Sequence, residues 1–299
     1  MIVVTIPTGN IGSQVLEKLV SSDEGIRVVA RDPAKLSPQV RERVEVIEGS
    51  HGDRDVLDKA FAAADSVFWL TPPDPRADSA EAAYIDFTRP AADAMRNRRV
   101  ERVVGVSALG HGTPWASKAG FVTASLAVDD LIASSGVSYR ALTMPSFMDN
   151  LLRQAESIRK DGVFSLPISG DRRLPSVATR DIASAAAQLL LDKSWTGVSS
   201  RPLLGPEDLS YNDIAAILSD VLGTPVRFER ISDEAFKARL RGRGMSDAMA
   251  QGNLDMFIAK DHGLDNAERR TPESTTPTTF RDWAREAFKP PVSTAIERG

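Results

Sequence analysis

A glycine turn directly follows the first apolar run of the chain. The run Ile2–Ile6 is followed by Thr8-Gly9-Asn10-Ile11-Gly12, where a helical pattern begins. Glycines at such a strand-to-helix turn let the backbone approach a pyrophosphate, whose charge is stabilised by free N–H groups at the helix N-terminus. The three-glycine fingerprint is incomplete, because Ile6 and Val15 occupy its flanking positions. The turn predicts a dinucleotide site; the alternative is that its two glycines only shape a tight connection.

Basic residues follow the second apolar run, where dinucleotide-binding folds contact the ribose next to the adenine. This run ends at Ala30 and continues into Arg31-Asp32-Pro33-Ala34-Lys35. A guanidinium forks onto the oxygens of a 2′-phosphate, whereas a free ribose hydroxyl offers no comparable partner. Arg31, helped by Lys35, therefore favours NADP over NAD. Two alternatives stay open: the cations are solvated loop residues, or Asp32 holds a ribose hydroxyl.

Other chemistries are excluded by residues that the chain lacks. There is no cysteine, so no disulfide, thiolate nucleophile or iron–sulfur cluster can form. His51, His111 and His262 are the only histidines and have no metal-ligand spacing, so we expect no metal site. Ser107 is not flanked by glycines in the Gly-x-Ser-x-Gly pattern of a hydrolase elbow.

Charge and hydropathy point to a small-molecule partner. The 299 residues include 37 Lys plus Arg and 41 Asp plus Glu, a net charge of −4. Such a balance provides no field that would attract nucleic acid or an anionic membrane. The chain begins without a signal-peptide pattern and contains no apolar run of about 18 residues, as a membrane helix requires. We expect a cytoplasmic protein, and the sequence does not indicate its oligomeric state.

The elements that must position these residues alternate through the first half of the chain. Short β-branched runs followed by amphipathic stretches are typical of β-α-β units in a parallel sheet, and nearly continuous apolar strands indicate burial on both faces. The predicted strands are Ile2–Ile6, Arg27–Ala30, Val44–Ile47, Ser66–Leu70, Arg102–Val106 and Ser138–Leu142. The predicted helices are Ile11–Ser21, Arg54–Ala63, Arg76–Arg98 and Phe121–Ser134. We therefore predict an α/β fold with a Rossmann-type, doubly wound parallel sheet.

The second half has shorter strands and denser Gly and Pro punctuation. Its predicted strands are Val163–Leu166, Arg201–Leu204 and Val226–Glu229, and its predicted helices are Arg180–Leu191, Tyr211–Leu222, Asp233–Arg241, Ser246–Lys260 and Thr279–Ala287. We predict that residues 1–150 form the nucleotide-binding domain and that residues 151–288 form a smaller α/β substrate lobe sharing its core. Residues 271–279 read as a loop and residues 289–299 as a tail.

Motifs along most of the chain resemble one known family. They are Pro7–Gly12, Arg31–Lys35, Gly52-Asp53, Thr71-Pro72-Pro73, Val106–Gly110, Met144–Asn150, Arg180–Ala183 and Leu209–Ala215. In this order and spacing they are similar to the NmrA-like branch of the atypical short-chain dehydrogenase/reductases. The resemblance implies NADP binding, with Asp53 near the adenine and Thr71 and Pro72 along the cofactor. It also implies that Phe147 and Asn150 line the substrate cleft.

The resemblance raises the question of which residue would donate a proton to the substrate. Short-chain dehydrogenases use a Tyr with a Lys four residues later, but the residues four positions after the three tyrosines are Thr88, Thr143 and Ala215. Several atypical relatives carry Lys or His in the helix after the fifth strand, and the register places Ser125 there, four residues before Asp129. A serine hydroxyl cannot replace an ammonium group as a proton source at neutral pH.

Other donors lie in the segment after Ser107, where the nicotinamide ring is expected. His111 titrates in a useful range, and Lys118 can donate a proton if burial lowers its pKa. Both residues have the alternative of being solvated loop residues. The aromatic residues Trp115 and Phe121 of the same segment are expected to wall the pocket.

These residues together predict an NADP-dependent oxidoreductase. Hydride would pass from NADPH to a small, fairly apolar carbonyl, quinone or conjugated compound. Two alternatives remain: a regulatory protein that senses NADP(H) without catalysis, and a non-redox isomerase or cyclase on the same fold.

Overall fold

The β-branched runs of the chain pair in parallel into a seven-stranded sheet. A computed structural model describes residues 1–288. Its strands are β1 (Ile2–Thr5), β2 (Ile26–Ala30), β3 (Glu45–Glu48), β4 (Ser66–Trp69), β5 (Arg102–Ala108), β6 (Ser138–Met144), β7 (Ser146–Phe147), β8 (Val163–Leu166), β9 (Leu174–Val177), β10 (Val198–Pro202), β11 (Asp208–Leu209) and β12 (Arg227–Arg230). The large sheet has the order β10-β6-β5-β4-β1-β2-β3.

Helices cover both faces of this sheet. They are α1 (Asn10–Leu19), α2 (Pro38–Arg41), α3 (Arg54–Ala60), α4 (Phe87–Asn97), α5 (Phe121–Ala133), α6 (Ala155–Asp161), α7 (Thr179–Leu191), α8 (Tyr211–Leu222), α9 (Asp233–Gly242), α10 (Asp247–Asp261) and α11 (Phe280–Ala287). Val104 of β5 belongs to the core shared with α1 and α7, whereas its neighbour Val103 packs with α3, α4 and α5. Successive strand residues face opposite layers, and the prediction of a doubly wound Rossmann-type sheet is confirmed.

Two elements of the second half complete the large sheet and its layers. Strand β10 pairs in parallel with β6 at the edge of the sheet, and α7 packs beside α1. The strand predicted at Arg201–Leu204 therefore begins earlier, at Val198, and belongs to the large sheet. Its first three residues are exposed, so the strand lacks an apolar run, and only its pairing with β6 defines it.

The remaining elements surround a second core. Phe164, Leu218 and Phe280 are among its most buried residues. Strands β11, β9 and β7 form a three-stranded sheet, and β12 pairs with β8. The predicted loop 271–279 is a loop, and it is fastened to α7 because Asp181 accepts hydrogen bonds from the backbone and hydroxyl of Thr278 at 3.0 and 2.8 Å. The predicted tail, residues 289–299, lies outside the described residues.

The helix predicted at Arg76–Arg98 is shorter than expected. Residues 76–79 are not helical, and Ser79 accepts the Ala82 N–H at 3.0 Å, as a capping residue does. A π-helical turn then covers Ala82–Asp86 before α4 begins. Pro90 inside α4 lacks an N–H group for the turn before it, which gives a physical reason for the wider turn.

No helix within residues 1–288 combines the length and the apolar character needed to cross a membrane.

Candidate nucleotide and reduction site

The glycine turn leaves the N-terminus of α1 open. Gly9 is the N-cap residue and has no side chain that could cap the helix. The first turn of α1 holds no acidic residue. The backbone N–H groups of residues 10–12 have no acceptor within the described residues 1–288. Free N–H groups at a helix N-terminus form a site for an anion such as a pyrophosphate.

Ile6 explains why both glycines are needed in this turn. A Cβ atom on Gly12 would lie 2.0 Å from the carbonyl oxygen of Ile6, and one on Gly9 would lie 2.7 Å from its Cγ2 atom. Ile6 itself has a φ of 55°, a left-handed conformation that costs a residue with a Cβ roughly 1–2 kcal/mol. The turn thus keeps a left-handed conformation at a position where the fingerprint would have its first glycine.

Polar side chains from distant segments brace the turn. Asp149 accepts a hydrogen bond from the Asn10 amide at 3.2 Å and from the N–H and hydroxyl of Thr179 at 3.1 and 3.0 Å. Gln14 donates to the Thr179 hydroxyl at 3.0 Å and to the Asn10 carbonyl at 2.7 Å. Sequence reasoning missed Asp149 and Thr179 as site residues, although Asp149 lies within the Met144–Asn150 motif.

Arg31 lies beside this turn because β1 and β2 are neighbours in the sheet. Its side chain is exposed and has no hydrogen-bond or ion-pair partner among residues 1–288. Lys35 is also exposed, and its Nζ lies 3.7 Å from Asp32, which caps the short 3₁₀ turn Pro33–Lys35 through a bond from Ala34 N–H. An unpaired cation at the carboxyl edge of β2 fits a 2′-phosphate.

The expected adenine-side residues follow β3 and β4. Asp53 is exposed and caps α3, because its carboxylate accepts the Asp55 N–H at 3.0 Å. The Thr71 hydroxyl accepts a bond from the Trp69 indole at 3.2 Å and lies 3.1 Å from the Thr88 hydroxyl. Pro72 is partly exposed next to it. These residues share the edge of the sheet that carries the glycine turn.

Ser107 lies at the carboxyl end of β5 and belongs to a buried network. Its hydroxyl donates a hydrogen bond to Asp129 of α5, and the Tyr139 hydroxyl of β6 donates to the other carboxylate oxygen at 2.6 Å. Gly105 makes room for this contact, since a Cβ there would lie 2.2 Å from the Tyr139 oxygen. Burial raises the pKa of Asp129 to about 6, against the lowering effect of the two hydrogen bonds.

A cavity of about 380 Å³ adjoins this network. Asp129 and Tyr139 line it, together with His111, Thr143 and Glu268. His111 is exposed, and no other residue predicted for the site lines this cavity. Sequence reasoning missed Tyr139 because only the residue four positions later was considered, whereas its partner comes from a neighbouring element.

The rest of the segment after Ser107 packs against other elements. Trp115 stacks on His262, with ring centroids 4.6 Å apart and ring planes at 15°. The ring centroid of Phe121 lies 5.8 Å from that of Tyr84. Lys118 is exposed and has no side-chain partner within residues 1–288. Both aromatic residues therefore contact other rings of the protein, whereas the Lys118 side chain lies at the surface.

Phe147 and Asn150 follow β6. Phe147 forms strand β7, pairs with Val177 of β9 and packs against the core beneath α1 and α7. Asn150 is exposed in the 3₁₀ turn Met148–Gln154. Both belong to the segment that contains Asp149, the residue that braces the glycine turn.

Curated relatives match nearly the whole chain. A (4-alkanoyl-5-oxo-2,5-dihydrofuran-3-yl)methyl phosphate reductase of Streptomyces griseus is 31% identical and covers 97% of this chain and 100% of its own. An NAD(P)H azoreductase of Xenophilus azovorans is 28% identical over 86% of both chains. Quinone oxidoreductase 2 of Escherichia coli is 24% identical over 88% of this chain and 89% of its own.

Solved structures share the fold. The Escherichia coli NADPH-dependent quinone oxidoreductase complexed with NADPH has a TM-score of 0.76 at 21% identity, over 97% of this chain and 100% of that chain. Triphenylmethane reductase of Citrobacter sp. complexed with NADP(H) has a TM-score of 0.76 at 20% identity, over 96% of this chain and 100% of that chain.

The family match agrees with the geometry of the glycine turn. Residues 7–193 match the NAD(P)H-binding family. This range begins at the glycine turn and includes α7, and Asp149 connects these two elements by hydrogen bonds to Asn10 and Thr179. The prediction of an NAD(P)-binding Rossmann protein is confirmed. The chain belongs to the NAD(P)H-binding family, and its relatives include a phosphate reductase that it matches over the full length and an NAD(P)H azoreductase.

Proposed function

We propose that this protein is an NADPH-dependent reductase of the NmrA-like branch. The observation that carries the proposal is the pairing of an open helix N-terminus after β1 with an unpaired, exposed Arg31 after β2. The first fits a pyrophosphate and the second fits a 2′-phosphate. NADPH, when bound, supplies a hydride.

The relatives support a conjugated acceptor as substrate. The substrates in the three names are the methyl phosphate of an alkanoyl dihydrofuranone, an azo compound and a quinone. Each has a π system that accepts a hydride and then carries negative charge on oxygen or nitrogen. We propose a small, fairly apolar carbonyl, quinone or other conjugated compound as the substrate class of this chain.

Individual residues have distinct proposed roles. The Thr8–Gly12 turn holds the pyrophosphate, Arg31 and Lys35 hold the 2′-phosphate, and Asp53, Thr71 and Pro72 lie along the adenosine half. Ser107 faces the nicotinamide ring. The substrate is enclosed by Trp115, Phe121, Phe147 and Asn150.

We also propose a domain organisation, a class of partner and a compartment. Residues 1–150 act as the nucleotide-binding domain and residues 151–288 as the substrate lobe, although β10 is a strand of the large sheet and α7 packs beside α1 in its helical layer. A net charge of −4 and the lack of cysteine favour a small-molecule partner, no nucleic acid and the cytoplasm as compartment.

One assay tests the function. NADPH and NADH oxidation is followed by absorbance with quinones, azo dyes, enones and alkanoyl butenolides, and all four nucleotides are titrated by binding calorimetry. We expect turnover with NADPH and tighter binding of NADP(H) than of NAD(H). Tight binding without oxidation by any acceptor would favour the regulatory alternative, in which the site senses NADP(H).

A further inference from the structure

A carbonyl or quinone acceptor needs a proton as well as a hydride. Hydride addition leaves an oxyanion, and a positioned acid that protonates it contributes to the rate. The Tyr and Lys pair of short-chain dehydrogenases is absent from the sequence. Lys118 is exposed, so the structure places no buried ammonium group at that position.

The structure instead places an acid behind Ser107. Asp129 of α5 contacts both β5 and β6, because one of its carboxylate oxygens accepts a bond from Ser107 and the other accepts a bond from Tyr139. The backbone at Ser107 pairs with Thr143 at the carboxyl end of the sheet, the edge where open α/β folds bind their ligands. Asp129 also lines the 380 Å³ cavity, so its carboxyl group is not sealed from water.

We propose that Ser107 passes a proton to the reduced substrate and that Asp129 replaces it from water in the adjoining cavity. This inference rests on the reductase function proposed above. In this scheme Ser107 is the catalytic residue, because its hydroxyl would contact the reacting oxygen of a bound substrate. Asp129 is a positioning residue that holds the hydroxyl and restores its proton.

The step balances in atoms and electrons. The substrate carbon gains a hydride with its two electrons, NADPH becomes NADP⁺, and the carbonyl π electrons move to oxygen. The Ser107 O–H bond breaks as the new O–H bond of the product forms. When Asp129 is the neutral acid, its O–H donates to the Ser107 oxygen, which reverses the bond that Ser107 makes to the carboxylate. This proton passes to Ser107 in concert, and a water-borne proton then restores the acid. Ser107 receives one proton as it gives up another, so the weak acidity of its hydroxyl does not limit the rate of proton transfer.

The charged neighbours of Asp129 set how readily it holds that proton. The Tyr139 hydroxyl of β6 stabilises the Asp129 carboxylate by a hydrogen bond. A positive charge on His111, in the segment after β5, also stabilises the carboxylate. On α5, Asp130 favours the neutral acid, and Glu268 lines the same cavity. Burial is the largest influence and raises the pKa to about 6, which leaves a usable acid fraction near neutrality.

The first test uses the protein without nucleotide. Carbon-13 NMR of aspartate-labelled protein follows the Asp129 carboxyl from pH 3 to 9, assigned with Asp129→Asn. We expect a titration midpoint near pH 6, and Ser107→Ala should move it upward because a bond to the charged form is lost. A midpoint at the ordinary aspartate value would overturn the proposal.

The second test is kinetic. Asp129→Asn keeps the shape of the side chain and the Ser107 contact but holds no acid proton, so we expect a loss of roughly tenfold to hundredfold in kcat, with KM for the acceptor and NADPH affinity changed less than threefold. Wild-type kcat should fall as pH rises through the Asp129 pKa and show a solvent deuterium isotope effect. Both features should disappear in Asp129→Asn. The matched control is Asp220→Asn, an exposed carboxylate on α8 that pairs with Arg281.

The outcomes separate this inference from the proposed function. Wild-type turnover with an unchanged pH profile in Asp129→Asn and unchanged kcat in Ser107→Ala would overturn the proton route and leave the reductase standing. No oxidation of NADPH by any acceptor in the wild type would overturn both. Equal losses in Asp129→Asn and Asp220→Asn would also overturn the proton route, because the effect would then be one of general charge.

Discussion

Asp149 accepts a hydrogen bond from the side-chain amide of Asn10 at 3.2 Å, although 139 residues separate them in the chain. The same carboxylate accepts the Thr179 N–H at 3.1 Å. The segment after β6 therefore connects the glycine turn to the N-terminus of α7. This contact holds the open N-terminus of α1 in the position where an anion would bind.

We expect Asp149→Ala to weaken NADPH binding by about tenfold, or ~1.4 kcal/mol. The reason is that Asn10 and Thr179 lose a shared acceptor and the turn becomes less ordered. Fluorescence titration with NADPH measures the effect, and thermal unfolding checks that the variant is folded. An unchanged dissociation constant in a folded variant would show that the brace does not contribute to binding.

Arg31→Ala should weaken the binding of NADPH more than the binding of NADH. A hydrogen bond to a charged partner contributes about 1.5–3 kcal/mol, so NADPH affinity should fall by roughly tenfold to 150-fold. NADH affinity should stay within twofold because NADH lacks the 2′-phosphate. Titration of both nucleotides with both proteins gives the comparison, and equal losses for the two would contradict the assignment of Arg31.

Gly12→Ala should damage the turn. Its Cβ would lie 2.0 Å from the Ile6 carbonyl oxygen, and relief requires movement of β1 or α1, at a cost of about 1–3 kcal/mol for overpacking. Gly242→Ala is the matched control, because a Cβ there meets no atom within 4 Å. Urea unfolding should show lower stability only for Gly12→Ala, together with a loss of NADPH binding. Equal stability of the two variants would rule out the close approach.

The stability of the protein should depend on pH through two opposed groups. Burial raises the pKa of Asp129 to about 6, so its contribution is present below the unfolded pKa near 3.8 and is lost as pH rises through 6. Burial lowers the pKa of His51 to about 4, against its bond to the Leu70 carbonyl. The His51 contribution is therefore present above pH 6.5 and is lost as pH falls towards 4.

Single variants should reveal each contribution. A pKa unit corresponds to about 1.4 kcal/mol, so each change should amount to about 2–3 kcal/mol between pH 4 and 6.5. His51→Gln should become less stable as pH rises across this window, Asp129→Asn should become more stable, and the wild type should change least. Urea unfolding at five pH values provides the measurement, and parallel curves for all three proteins would contradict the opposed signs.

A buried ion pair at the end of α10 should couple two residues. Lys260 and Asp265 form a salt bridge with only 4% and 1% of their side chains exposed. Lys260→Met should destabilise the protein by about 3–5 kcal/mol because it leaves a buried charge unpaired. The double variant Lys260→Met with Asp265→Ala should regain part of that loss. Additive losses in denaturant unfolding would show that the pair is not coupled.

Local residue types were sufficient to predict much of the large sheet. Short apolar runs such as Ile2–Ile6 and Ser66–Leu70 became buried parallel strands, because an apolar run bounded by turn residues has few other ways to bury its side chains. Strand β10 and the short strands β7, β9 and β11 were missed or misplaced. Each is too short or too polar to carry a periodic pattern, so only pairing with a neighbour creates it.

The division between sequence and tertiary structure is clearest at the site. The glycine turn, Arg31 and the absence of cysteine and of a Tyr–Lys pair can be read along the chain, because each depends on residues that are adjacent or at a fixed spacing. The Ser107–Asp129–Tyr139 network and the Asp149 brace depend on side chains from different strands and helices. Strand order and helix packing bring those side chains within hydrogen-bond distance, and no local pattern encodes that proximity.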